Sequence, residues 1–280
     1  MKKVIIILII AAGVFGAWVY FGKNIKDFKQ TSIGNMLKEA GRELLTPPPL
    51  QILRPESQVV LIAEKVIEET NLQRRENGGL PALTENTTLN EVAMAKAKDM
   101  FANQYFEHVS PSGVGPGQLA QQYGYDYIVE GENLILGNFA SEKEAVQDWM
   151  NSPGHRANIL NNRYSEIGVA VLKGKYKGES VWIGVQEFGL PMSACSQPSI
   201  ALRNEIDANQ TMLSSTSEQI NQIRTEIDNT NPRSKDYNQL VNQYNQLVND
   251  YNNLAATTKD IVAQYNIQVN NFNVCVKGQQ

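Results

Sequence analysis

The chain has 280 residues, 42% hydrophobic and 19% charged, with a net charge of −4. That is enough for the packed core of one ordinary domain plus attachments, and the mild acidic balance lacks the basic footprint of a nucleic-acid binder, so no nucleic-acid partner is expected. Only two cysteines, Cys195 and Cys275, and two histidines, His108 and His155, occur.

Met1-Lys2-Lys3 precedes an unbroken apolar-plus-glycine run of 18 residues, Val4–Phe21. As a helix this run reaches ~27 Å, close to the ~30 Å of a bilayer core, with Trp18 and Tyr20 suited to an interface. Residues 1–22 therefore read as an uncleaved signal anchor. The alternative is a cleaved signal peptide, but Trp18, Tyr20 and Phe21 are bulky for a cleavage site. Lysines flank the run on both sides, so the positive-inside rule nearly cancels. The cysteine pair, which suits an oxidising compartment, places the bulk of the chain outside the cytosol, on a single-pass membrane anchor. Residues 23–56 read as a linker, with "TPPPL" at 46–50 a stiff extended spacer.

Residues 57–190 carry the pattern of an α+β domain. Val59, Val60, Ile62, Ala63, Val66, Ile67 and Leu72 recur at helical spacing until Gly78-Gly79. A second helix is predicted from Thr88, where Thr88 and Glu91 form a capping-box pattern ahead of Leu89, Val92, Ala93, Ala97, Met100 and Phe101. A Gly-rich loop follows at 110–117. "SEKEAVQDWM" predicts a third helix, boxed by Ser141 and Glu144, with Ala145, Val146 and Trp149 inward. The period then changes: "EIGVAVLKG" (166–174) and "SVWIGVQEF" (180–188) read as an antiparallel hairpin.

Residues 198–275 are different again. "YNQLVNQYNQLVNDYNNLAAT" is a seven-residue repeat, with Tyr237, Tyr244, Tyr251, Tyr265 and Phe272 on one heptad position and Thr258 filling the gap. Ile206, Leu213, Ile220 and Ile227 recur at sevens upstream, and "NTNPRSKD" breaks the two runs. This predicts an antiparallel coiled-coil hairpin. Cys195 and Cys275 would meet at its base and close a loop of about 80 residues, worth roughly 4–5 kcal/mol in the chain-entropy model. The alternative is two buried free thiols.

His108 follows "YFE" just past the second helix. His155 lies in "SPGHR", where Pro153 suits a helix start. Between them is "GENL" (131–134), whose Glu132 follows Gly131, a residue with wide backbone freedom. Two imidazoles and a carboxylate are zinc-type donors, but 108, 132 and 155 are too far apart for local spacing to join them. Taken together, "LNEVAMAKAKDMFANQYFEHVSPSG", "GENLILG", "AVQDWMNSPGHRANILNNRYSEIGVAV" and "WIGVQEFG" resemble the bacterial branch of the CAP superfamily (cysteine-rich secretory, antigen 5 and pathogenesis-related proteins), also called the SCP domain. The resemblance implies a CAP-type α-β-α sandwich with His108, Glu132 and His155 lining one cleft that can hold a divalent cation, zinc or magnesium. Asn133, Ser152 and Arg156 would line it too. The family's second Glu, three residues after the tryptophan, is replaced here by Ser152, and Glu144 lies two turns too early to stand in for it.

Three functions fit these features. The first is a membrane-anchored binding module for a lipid or protein ligand, which the resemblance favours. The second is a metal-dependent hydrolase of peptides or cell-wall material, in which His108, His155 and Glu132 would hold a zinc that activates water, or Glu132 would act as the general base. The third is a scaffold whose coiled coil engages a partner. Ser110, Ser112 and Ser152 lie near the histidines, but the sequence reveals no oxyanion site.

Overall fold

The computed structural model describes residues 42–278 except Leu53. The expected anchor at 1–22 and the first part of the expected linker lie outside the described residues. Among those described, no helix is long and apolar enough to cross a membrane. The chain divides into two units, one ending at Ala194 and the other beginning at Cys195, each with its own core.

The first unit is built on three long strands, β4 (Tyr127–Gly137), β5 (Glu166–Tyr176) and β6 (Glu179–Pro191). β5 and β6 form the predicted hairpin, and β6 also pairs antiparallel with β4. The short strands β1 (Glu43–Leu45) and β2 (Leu50–Ile52) lie parallel to β4 along its outer edge, while β3 (Thr84–Glu85) pairs with β5. The sheet is thus mixed and six-stranded.

Helices cover both faces. α1 (Ala63–Gly78) ends where Gly79 adopts the left-handed conformation, as the Gly-Gly pair predicts. It begins later than its apolar pattern suggests, and Val60 is left exposed. α2 (Thr87–Asn103) is capped by Asn86, which accepts from the amides of Thr88 and Leu89, so the Thr88 box is not the cap. Its Ala93, Ala97 and Met100 pack on Leu134, Leu136, Ile183 and Val185. α3 (Pro116–Gln122), unforeseen in the Gly-rich stretch, follows. α4 (Glu142–Asn151) is capped by Ser141 as predicted, with Glu144 reaching back to the Ala140 amide. α4, α1 and α5 (Pro153–Ile159) cover the other face, where the Trp149 ring packs over Gly184 and Thr70 bonds Gln186.

Residues 43–52 are not a spacer. Glu43–Leu45 and Leu50–Ile52 saturate the free edge of β4, and Pro47, Pro48 and Pro49 bridge the two short strands where no ladder bond is needed. The first domain therefore begins well before residue 57.

The second unit is a helical hairpin of α6 (Ile200–Asn229) and α7 (Lys235–Val276), joined through 230–234. Its core is the predicted stripe: Leu213, Ile220 and Ile223 pack against Tyr244, Val248, Tyr251 and Ala255. Toward the open ends, Ile206 meets Ile261 and Tyr265. Thr258, the polar break in the tyrosine series, is buried and donates to the Leu254 carbonyl at 2.7 Å. The Cys195–Cys275 disulfide is present across 80 residues of sequence. Replacing both cysteines (Cys195→Ser with Cys275→Ser) is expected to destabilise the hairpin by about 4.5 kcal/mol. Urea unfolding followed by tyrosine fluorescence measures this, and an unchanged midpoint would contradict it.

Candidate functional site

Glu132 is fully buried in the middle of β4, and a carboxylate there needs a donor. The donor is His108, whose Nδ1 lies 2.6 Å from Glu132 Oε1. The loop carrying His108 is fixed from below: buried Lys96 of α2 donates to the His108 carbonyl at 2.6 Å. Burial lowers the Lys96 pKa, opposed chiefly by the negative field of Glu132. His108 Nε2 then points outward and lies 2.5 Å from the carbonyl oxygen of Pro47. A carbonyl only accepts, so Nε2 carries a hydrogen. One further proton lies between Nδ1 and Glu132.

His155 sits on the first turn of α5, 1% exposed. Burial, and secondarily the neighbouring His108, lower its pKa to about 4. Its Nδ1 pairs with Ser152 Oγ at 2.8 Å, and its buried Nε2 has no partner. Asn133 donates to the His155 carbonyl and to Gln186, and Gln186 to Thr70. Asn158 donates to Asn133 and to the Leu45 carbonyl. This chain of amides ties α1, α5, β4, β6 and the N-terminal segment together. Arg156, expected in the cleft, is exposed and reaches Asn77 of α1 instead. Glu144 caps α4 and plays no part in the site. The site is little exposed: the His108 side chain is 11% exposed and Glu132 not at all, and the Pro47 carbonyl meets the outward nitrogen of His108.

Two further carboxylates belong to this centre. Glu130 and Glu132, two apart on β4, share a face, and Glu187 is the register partner of Glu132. All three are fully buried. Three like charges cannot coexist there, so protons are retained. Burial, then the charges of Glu132 and Glu130, push Glu187 well above the usual carboxylate range. Burial raises Glu130 to about 8, opposed by the nearness of Glu187 and aided by the charge of Glu132.

The model of the cysteine-rich secretory protein (CAP) family matches residues 68–188. This part of the chain, residues 68–188, is a CAP domain. Its CAP domain is 40% identical over 126 residues to the uncharacterised protein YkwD of Bacillus subtilis (strain 168), covering 45% of this chain and 47% of YkwD. It is 33% identical over 113 residues to the uncharacterised membrane protein YlbC of the same strain, covering 40% of this chain and 32% of YlbC. The chain thus spans less than half the length of these curated relatives. An extracellular protein containing an SCP domain, from Bacillus anthracis str. Ames, is similar at 31% identity and a TM-score of 0.39, over 45% of this chain and 39% of its own.

The CAP resemblance leads one to expect a cation among His108, Glu132 and His155. A metal ligand needs a free lone pair. Nε2 of His108 donates to Pro47 and Nδ1 is held by Glu132. Ser152, standing where the family has its second Glu, pairs with His155. Among the described residues, no group of three or more His, Cys, Asp or Glu converges as ligands would. As arranged, His108 has no free lone pair for a cation, while His155 Nε2 and Glu132 Oε2 remain unpartnered.

Lys96, Glu130, Glu187 and Pro47 escaped the sequence reading. Lys96 falls on the apolar stripe of α2, and Glu187 interrupts a Val/Ile/aromatic strand; both were visible signals of a buried charge. Pro47 gave none, because its partner lies 61 residues on.

The retained protons make CAP stability pH-dependent. Glu130's folded pKa of about 8 exceeds its ordinary 4.5, so its contribution is complete below 4.5 and lost as pH rises through about 8. His155, at about 4 against 6.5, contributes fully above 6.5 and loses this as pH falls through about 4. Melting temperature is expected to fall on the alkaline side, and Glu130→Gln to flatten that limb while His155→Gln flattens the acid one. Identical profiles in wild type and Glu130→Gln would contradict the assignment.

Proposed function

We propose that this chain is an extracytoplasmic, membrane-anchored binding module whose CAP site holds a ligand through a carbonyl group. The observation that carries this reading is His108: oriented by buried Glu132, it presents Nε2 to a main-chain carbonyl at 2.5 Å. The apolar run at 4–21 and the designation of YlbC as a membrane protein support the anchor. The disulfide supports an oxidising compartment.

The hydrolase reading has weaker support. Ser152 and His155 are paired, but a catalytic base needs its second nitrogen oriented, and His155 Nε2 is unpartnered. A base with a pKa of about 4 is also poorly matched to neutral pH. Ser110 and Ser112 bond each other at 2.8 Å. The scaffold reading rests on exposed Met212 and Ile267, since the Tyr/Leu stripe packs the hairpin itself.

A turnover screen with peptide and ester pools, on the full chain with and without zinc, separates the readings. No turnover dependent on His108 or His155 is expected. Turnover lost in folded His108→Ala or His155→Ala would make the site hydrolytic.

A further inference from the structure

The segment closing the CAP site has the geometry of a bound peptide. It runs the length of β4 in extended form, pairing in parallel first with Val129–Gly131 and then with Ile135–Gly137. Between these contacts the Pro47 carbonyl receives His108 Nε2. The surface beneath is cut to fit. A Cβ at Gly154 would lie 2.6 Å from Pro47 Cβ, and one at Gly137 would collide with the Ile52 carbonyl. Asn158, buried behind β4, donates to the Leu45 carbonyl. Ion pairs clamp the two ends: Glu43 with Arg163, and Arg54 with Asp148 in a two-pronged bond of 2.6 and 3.0 Å. Residues 55–62, between this segment and α1, contain no helix or strand, and the segment lies ahead of the 68–188 family match.

We propose that the β4 edge and the His108 site together form a receptor groove for an extended, proline-bearing peptide of a partner protein, with residues 42–52 as its tethered occupant. This rests on the binding reading above and names its ligand. The occupant displays the required chemistry. Main-chain groups pair with a sheet edge, as in strand addition. A short proline run keeps the middle extended at low entropic cost and offers a carbonyl at the histidine. Apolar residues flank it, and opposite charges mark its ends. A partner's peptide binds by replacing the strap, whose tether gives it a high local concentration and so sets the threshold for entry.

The test is carried out on the full chain with a specific protease site placed at exposed Val60. After cutting, only the groove and the contacts along it hold the strap. A labelled synthetic peptide of residues 42–57 is then added, alongside one with alanine at Pro47, Pro48 and Pro49. The expected result is saturable exchange with the fold retained, weakened about tenfold or more by the alanine peptide and by His108→Ala. Unfolding once the strap is diluted away would make it a structural element and overturn the proposal. So would a folded cut chain that takes up no peptide, or uptake indifferent to both changes. In the uncut chain, a disulfide formed between Pro47→Cys on one copy and Gly154→Cys on another would assign the groove to a second copy and overturn the partner reading. Turnover in the substrate screen sinks the binding reading itself, whereas absence of peptide uptake sinks only this inference.

Discussion

A carboxylate buried in the centre of a sheet must be met by a donor, and Glu132 is met by His108. Much of the site follows from that pair. The imidazole is held from one side by Glu132 and its backbone from below by Lys96, leaving one direction for Nε2. That direction is outward, toward the edge of β4, where a main-chain carbonyl fills it. Glu130 and Glu187 can be buried beside Glu132 only by keeping protons, so the polar centre stays near neutrality. The opposite face of β4 carries amides rather than charges. There the Asn158–Asn133–Gln186–Thr70 chain satisfies each member and fixes the strand against α1 and α5.

What was legible in the sequence is what depends on neighbours along the chain. The hairpin of α6 and α7 could be read almost residue by residue, because a seven-residue period is a local signal and its core positions are the buried ones. α1, α2 and α4 were legible for the same reason, and β5–β6 because two alternating runs flank a short turn. The ends were less so: Asn86 rather than Thr88 caps α2, since the choice depends on a carboxylamide facing two amides at once. The trio His108, Glu132 and His155 was legible only through family resemblance, as no local pattern joins positions so far apart.

The strap shows where local reading fails. "TPPPL" has the composition of a spacer, and nothing within ten residues says otherwise. Its role is set by an unpaired edge 80 and more residues downstream, by His108, and by glycines at 137 and 154 that leave room for its backbone. The buried acids failed differently. A lone Glu in a sequence reads as solvated, yet Glu130 and Glu187 are fully buried because register brings them to Glu132. A CAP domain with these additions has its histidine engaged by its own chain.

The most direct measurement is nitrogen NMR of the His108 ring in the full chain at neutral pH. A ring sealed between Glu132 and Pro47 should show Nε2 protonated, slow to exchange with solvent and insensitive to added zinc. An unprotonated Nε2 whose resonance shifts on zinc addition would contradict the sealed site and return His108 to the role of a metal ligand.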